Sequence, residues 1–184
     1  MNLPNKLTVF RMLLIPIFLL FLLAPLGIEG QLARFIATAI FCIASFTDFL
    51  DGFIARKYNL VTSFGKFMDP LADKLLVSSA MIALIGISDA VVNLPSIVVI
   101  VIIAREFAIT GFRTLAAEQG VIMAAGIWGK LKTVCQMIMI ILLLLNINNA
   151  ILINVTNILI YLSLILAIVS AVDYIIKNKG VLVN

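Results

Sequence analysis

The chain has 184 residues, of which 64% are hydrophobic and only 12% charged, far from the roughly 45–50% apolar and 25% charged make-up of a soluble domain. Its net charge is +4 and it contains no histidine, which excludes imidazole-based catalysis and His-type metal sites and leaves acid–base work to carboxylates, lysine or tyrosine. This is the composition of a membrane protein, with room for about six spanning helices of about 20 residues each and no sizeable soluble domain; the positive charge favours an anionic leaflet, and no nucleic-acid partner is expected.

Apolar runs separated by turn or charge signals predict an all-α polytopic membrane protein with six transmembrane helices, near 8–26, 32–56, 66–87, 94–116, 130–148 and 150–173. The opening MNLPNKLTVFR, with Pro4 and a basic side chain on each side of Thr8, predicts a short N-terminal interfacial helix on the membrane surface. The first apolar run is followed by Pro25, Gly27 and Glu29 without a small-residue cleavage site, so it reads as a retained span. Lysine and arginine alternate between the gaps: Lys6 and Arg11, then Arg34 alone, then Arg56, Lys57, Lys66 and Lys74, then none around Asp89. Arg113, Lys130 and Lys132 follow, then none across NINNA, then Lys177 and Lys179. By the positive-inside rule both termini, and the loops after the second and fourth spans, are expected in the cytoplasm. Cys42 and Cys135 lie inside apolar runs and read as small core residues, not as a disulfide.

Charge gathers in TDFLDGFIARKYNLVTSFGKFMDPLADK, residues 47–74, which holds four of the nine acidic and four of the thirteen basic residues. Asp48 and Asp51 are three apart and Asp69 and Asp73 four apart, so each pair shares a helix face. Gly52, Ala55 and Gly65 leave space beside them. Four carboxylates at a membrane edge repel one another and resist desolvation unless something positive neutralises them. Ion pairing with Arg56, Lys57, Lys66 and Lys74 is one answer; a divalent metal site is the sharper one, because all-oxygen ligation suits Mg²⁺, Mn²⁺ or Ca²⁺ and argues against zinc. Two helices with two acids each can hold two ions about 3.5–4 Å apart, the clamp used in phosphoryl transfer. Arg56 and Thr62 are placed to offer a guanidinium and a hydroxyl to phosphate oxygens. A divalent-cation transporter using the aspartates as a transit site is the alternative from another class, but no charged or broken helix toward the far side provides it with a second access route.

The pattern D-x-x-D-G-x-x-A-R, eight residues, then G-x-x-x-D-x-x-x-D is complete here as DFLDGFIAR (48–56), KYNLVTSF and GKFMDPLAD (65–73). It resembles the CDP-alcohol phosphotransferase family, and the resemblance covers nearly the whole chain, 1–184, as a single membrane domain. The resemblance implies that Asp48, Asp51, Asp69 and Asp73 are metal ligands for Mg²⁺ or Mn²⁺, with Asp73 also the general base. It implies that Gly52, Arg56 and Thr62 contact the cytidine diphosphate. The N-terminal P-N-x-x-T-x-x-R of the family is present as PNKLTVFR, so Asn5 and Thr8 are also candidates for nucleotide contact, with helix capping as their other reading.

The acceptor is addressed by IIAREFAITGFRTLAAEQG (102–120) and GKLKTVCQM (129–137). Arg105 lies well inside an apolar run, where an arginine without a role is costly, and Glu106 beside it is a candidate neutraliser. Arg113 continues the Arg105 face, and Lys130 and Lys132 open the fifth span, with Lys132 read more as an interfacial anchor and Lys130 more as a site residue. Arg105, Arg113 and Lys130 suit an acceptor that is itself a phosphate ester. REF, TGFR and GKLKT resemble the bacterial family members that move a phosphatidyl group from CDP-diacylglycerol to sn-glycerol 3-phosphate, releasing CMP, in phospholipid synthesis. That likeness implies a homodimer in the bacterial cytoplasmic membrane with its site facing the cytoplasm; phosphatidylglycerol, serine or inositol phosphate are the alternative acceptors. The DYIIKN close (173–178) carries the same resemblance less specifically, and Asp173 in it is equally read as an i,i+4 partner of Lys177.

Overall fold

A computed structural model of the chain describes residues 2–24, 27–58, 62–118 and 126–177, with the side chains of 55–56, 63–64, 66–67 and 118 outside the description. Its regular structure is helical throughout: α1 Leu3–Leu23, α2 Gly30–Lys57, α3 Ser63–Ile85, α4 Ser96–Glu118, α5 Ile127–Leu145 and α6 Ala150–Lys177.

Six helices are present, but only four of them, among the described residues, are long and apolar enough to cross a membrane: Leu3–Leu23, Gly30–Ile54, Ile127–Leu145 and Ala150–Lys177. The expectation of six transmembrane helices is therefore corrected. The reason is charge density. Any 18-residue stretch of α3 contains at least three of Lys66, Asp69, Asp73 and Lys74, and any such stretch of α4 contains Arg105, Glu106 and Arg113. Each such group at mid-bilayer costs about 2.5–3.5 kcal/mol on an insertion scale, so the apolar remainder of α3 and α4 does not make them spans by composition. The placement of both termini in the cytoplasm was counted over six spans and loses that basis.

The N-terminal interfacial helix is corrected too, because residues 3–11 are the first turns of α1 itself. Asn2 caps this helix, its side chain accepting from the Asn5 backbone N–H at 3.1 Å, and Pro4 sits in the first turn, where no partner for its missing N–H is needed. A proline and a good cap therefore start the helix five residues before the predicted span, and no break separates the two.

By packing, the chain divides into two compact units, Met1–Ala90 with Leu143–Asn146, and Val91–Leu142 with Ile147–Asn184. In the first, α1 lies along α2 and α3. Phe18 and Phe41 meet in a tilted pair 5.9 Å apart, and Ala37 and Ala44 are wholly buried, so small residues on α2 let the helices approach closely. On α3, Ala72, Leu76, Ala80 and Met81 form the buried stripe, recurring at helical spacing. The buried Arg34 pairs with Asp89 at 2.6 Å, and Asn146, in the left-handed region at φ 49°, donates its amide to the Asp89 carbonyl at 3.2 Å.

In the second unit α4 packs on α6 around Ile109, Ala116 and Tyr174, with Phe112 edge-on to Tyr174 at 5.9 Å. Cys42 and Cys135 are both free; Cys135 is buried as expected, whereas Cys42 is on an exposed helix face.

Candidate active site

Asn5, Thr8 and Arg11 recur every three residues along α1 and are all buried, forming one polar stripe on an otherwise apolar helix. Each reaches a different part of the aspartate motif. Arg11, with no exposed surface, donates Nη1 to Asp48 Oδ1 at 2.5 Å and Nη2 to Asp51 Oδ2, so one guanidinium spans both acids of the α2 face. Thr8 Oγ lies 2.6 Å from Asp69 Oδ1 and 3.1 Å from the Pro4 carbonyl; it has one hydrogen to give, and the shorter, charge-assisted bond takes most of it. Asn5 Oδ1 accepts from Thr62 Oγ at 3.0 Å.

Thr62 is the N-cap of α3, accepting from the Gly65 N–H at 3.0 Å. The N-cap of α1 is Asn2, so Asn5 and Thr8 lie inside the helix and do not cap it. Gly65 sits where a Cβ would come within 3.2 Å of Asn5 Oδ1, 3.3 Å of Thr62 Oγ and 3.5 Å of Asp69 Oδ2. The absent side chain of Gly65 lets polar atoms of α1 and of the α3 cap close in beside Asp69. Asp73 stands one turn beyond Asp69, half-buried, and Gly52 follows Asp51 on α2. Arg56 belongs to the last turn of α2, but its side chain lies outside the described set. The charges of Asp48 and Asp51 act on each other and both feel Asp69, and Asp48 also feels Lys74.

The second unit holds its own charged cluster. Glu106 accepts from Arg105 at 2.9 Å and from Lys132 at 2.6 Å. Lys132 is 2% exposed while Lys130 is exposed, so the lysine read as an interfacial anchor is the one that is buried. Gly129 lies beside Arg105, and the charges of Arg113 and Arg105 both act on the Tyr174 hydroxyl. Asp173 is paired with Lys177 at 2.7 Å, which favours its reading as an i,i+4 partner.

The family model for CDP-alcohol phosphatidyltransferases matches residues 1–169. The chain belongs to the CDP-alcohol phosphotransferase family. Among its relatives, a Bacillus subtilis protein named CDP-diacylglycerol–glycerol-3-phosphate 3-phosphatidyltransferase is 52% identical over 153 residues, covering 79% of this chain and 77% of its own. Proteins of the same name from Rickettsia bellii and Haemophilus influenzae are 40% and 38% identical; the first covers 94% of this chain and 93% of its own length, the second 100% and 96%. Membership makes the chain a transferase of the bacterial membrane-lipid type, and the four spanning helices fit a multi-pass protein.

A divalent metal is implied by the family, and the donor chemistry here fits one: hard carboxylate oxygens from two helices, electrostatically coupled, with no thiolate or imidazole among them. In the side-chain arrangement described, Arg11 stands among them as counter-ion, and among the described residues no three acids converge as ligands of one ion. Arg11 is the site residue that sequence reasoning passed over. It was counted as a loop charge, although its place in PNKLTVFR, on one stripe with Asn5 and Thr8, carried the signal. Lys132 was read as an interfacial anchor, since nothing in the local sequence ties it to Glu106.

Proposed function

We propose that the protein transfers the phosphatidyl group of CDP-diacylglycerol to sn-glycerol 3-phosphate, giving phosphatidylglycerophosphate and CMP, in the bacterial cytoplasmic membrane with its site toward the cytoplasm. The observation that carries this reading is the buried stripe of α1 laid against Asp48, Asp51 and Asp69 of the complete family motif. The names borne by the relatives support this choice of acceptor.

Asp48, Asp51, Asp69 and Asp73 would hold two divalent cations, Mg²⁺ or Mn²⁺, which when bound neutralise the diphosphate and the charge that develops on transfer. Asn5, Thr8, Gly52, Arg56 and Thr62 bind the cytidine diphosphate end of the lipid; a hydroxyl, an amide and a guanidinium are the donors its oxygens call for. Asp73 accepts the proton of the primary hydroxyl of glycerol 3-phosphate as that oxygen bonds to the β-phosphorus and the bond to CMP breaks. Arg105, Arg113 and Lys130 bind the acceptor's phosphate, and the protein acts as a homodimer.

The test is CMP release by the purified protein given CDP-diacylglycerol and Mg²⁺, with glycerol 3-phosphate, serine, inositol phosphate or phosphatidylglycerol supplied singly. Release that requires glycerol 3-phosphate, and that falls steeply in Arg105→Met and Arg113→Met, is expected. Release with a different acceptor overturns the acceptor assignment, and metal flux into sealed vesicles without any CMP release would replace the enzyme by a transporter. Asp73→Asn is expected to abolish turnover while CDP-lipid still binds; turnover in that variant removes Asp73 from the role of base.

A further inference from the structure

We propose that Glu106 is a positioning residue for the acceptor: anchored to α5 through Lys132, it holds the Arg105 guanidinium by Nη1 and leaves the Nε–Nη2 edge as the fork that takes the phosphate of glycerol 3-phosphate. This role rests on the reading of Arg105 as a ligand of that phosphate, and supplies the residue that aims it.

The contact between Arg105 and Glu106 is not a product of helix geometry. Adjacent residues on an α-helix point about 100° apart and do not face each other, yet Arg105 Nη1 donates to Glu106 Oε1 at 2.9 Å. The same oxygen accepts from Lys132 Nζ at 2.6 Å. Lys132 belongs to α5 and its side chain is 3% exposed, against 18% for Glu106 and 13% for Arg105. The carboxylate is therefore fixed from a second helix, largely out of water, and it draws the guanidinium across to that helix. Gly129 stands three residues before Lys132, on the same face of α5, and a Cβ there would lie 3.8 Å from Arg105 Nη2. Arg105 and Glu106 thus meet one stripe of α5, its glycine beside Nη2 and its lysine on the carboxylate.

A guanidinium binds phosphate bidentately through two parallel N–H groups. With Nη1 committed to Glu106, the edge that retains such a pair is Nε with Nη2, and Gly129 puts no side chain over it. Charge favours the same use. A carboxylate shared with an ammonium offsets less of the guanidinium's charge than one held in an exclusive pair, so Arg105 keeps its attraction for a phosphate dianion. An arginine free to rotate would lose that freedom on gripping the ligand, whereas Arg105 has lost it already on folding.

CMP release by the full-length protein in detergent, at saturating CDP-diacylglycerol and Mg²⁺, is measured against glycerol 3-phosphate concentration. Glu106→Ala is expected to raise the KM for glycerol 3-phosphate about tenfold or more, while the KM for CDP-diacylglycerol stays within about twofold of the parent. Glu106→Gln, which keeps both contacts as weaker neutral bonds, should give a smaller rise, and it carries the test if Glu106→Ala does not fold. A merely structural Glu106 lowers the fraction of active molecules, and so the apparent kcat, at an unchanged KM for glycerol 3-phosphate; that result in the folded variants overturns the proposal. In Arg105→Met combined with Glu106→Ala, the KM should match that of Arg105→Met alone, because Glu106 acts through Arg105; two effects that multiply overturn it. Arg105→Met with the parent's KM for glycerol 3-phosphate overturns the reading of Arg105 as a phosphate ligand, and the role of Glu106 with it. A raised KM in Arg105→Met beside an unchanged one in both Glu106 variants overturns the role of Glu106 alone. Absence of any glycerol 3-phosphate-dependent release by the parent overturns both.

Discussion

Glu106→Ala removes a carboxylate that joins Arg105 and Lys132, and the structure supports a magnitude for the loss. Lys132 is 3% exposed at its side chain, Arg105 13% and Glu106 18%, so the two bonds of 2.9 and 2.6 Å are largely shielded from water. Breaking a fully buried pair by deleting one partner costs about 3–5 kcal/mol, chiefly because the other charge is stranded. Partial exposure and the remaining contacts of Arg105 and Lys132 reduce this to about 2–3 kcal/mol. For a chain of this size each kcal/mol moves the melting midpoint by roughly 2–4 °C, giving a fall of roughly 4–12 °C. Cys135 is buried three residues beyond Lys132 on α5, whereas Cys42 is exposed. In a Cys42→Ser background, thermal unmasking of Cys135 to a fluorogenic maleimide therefore reports on this unit. Glu106→Ala combined with Lys132→Met, which removes the stranded ammonium as well, should recover part of the midpoint. A midpoint within a degree of the parent for Glu106→Ala, or a double variant that is simply additive, would refute the account.

Gly65→Ala places a methyl 3.2 Å from Asn5 Oδ1 and 3.3 Å from Thr62 Oγ; it should lower CMP release about tenfold or more, equivalent to roughly 1.4 kcal/mol, with only a small change in melting temperature. Undiminished release would show that the Asn5–Thr62 contact has no part in binding the nucleotide. Thr8→Val deletes a hydrogen bond to a charged acceptor at 2.6 Å and is expected to cost about 1.5–3 kcal/mol of stability, measured by circular-dichroism melting of the whole protein, while Thr8→Ser should cost less. Asp173→Asn breaks an i,i+4 pair whose lysine is well exposed and should change the midpoint by an amount corresponding to no more than about 0.5 kcal/mol; a larger drop would refute its reading as a simple exposed pair.

Much of the candidate site was legible because its logic is local. Spacings of three and four on a helix put Asp48 with Asp51 and Asp69 with Asp73 on shared faces whatever the rest of the chain does. Asn5 and Thr8 were reached through the resemblance of PNKLTVFR to the family and not through spacing. The number of spanning helices was also present in the sequence, in the charges of α3 and α4, but apolar runs were weighed there without counting the three or more charged side chains within each 18-residue stretch.

Other features depended on partners distant in the chain. Arg11 finds its acids 37 and 40 residues away, and nothing in the local spacing of PNKLTVFR says that its guanidinium turns to Asp48 and Asp51 instead of serving as one more charge at the membrane surface. Lys130 and Lys132 are two residues apart, which on an α-helix points them to nearly opposite sides; only the packing of α5 decided that Lys132 meets Glu106, 26 residues earlier, while Lys130 is exposed. By itself the sequence determined the acids, their spacing and the helices that carry them, since a helix turns those into geometry with no outside help. Tertiary structure alone decided which cation answers which acid, because a buried charge takes the partner that folding brings within hydrogen-bond reach, and chain order does not encode that distance.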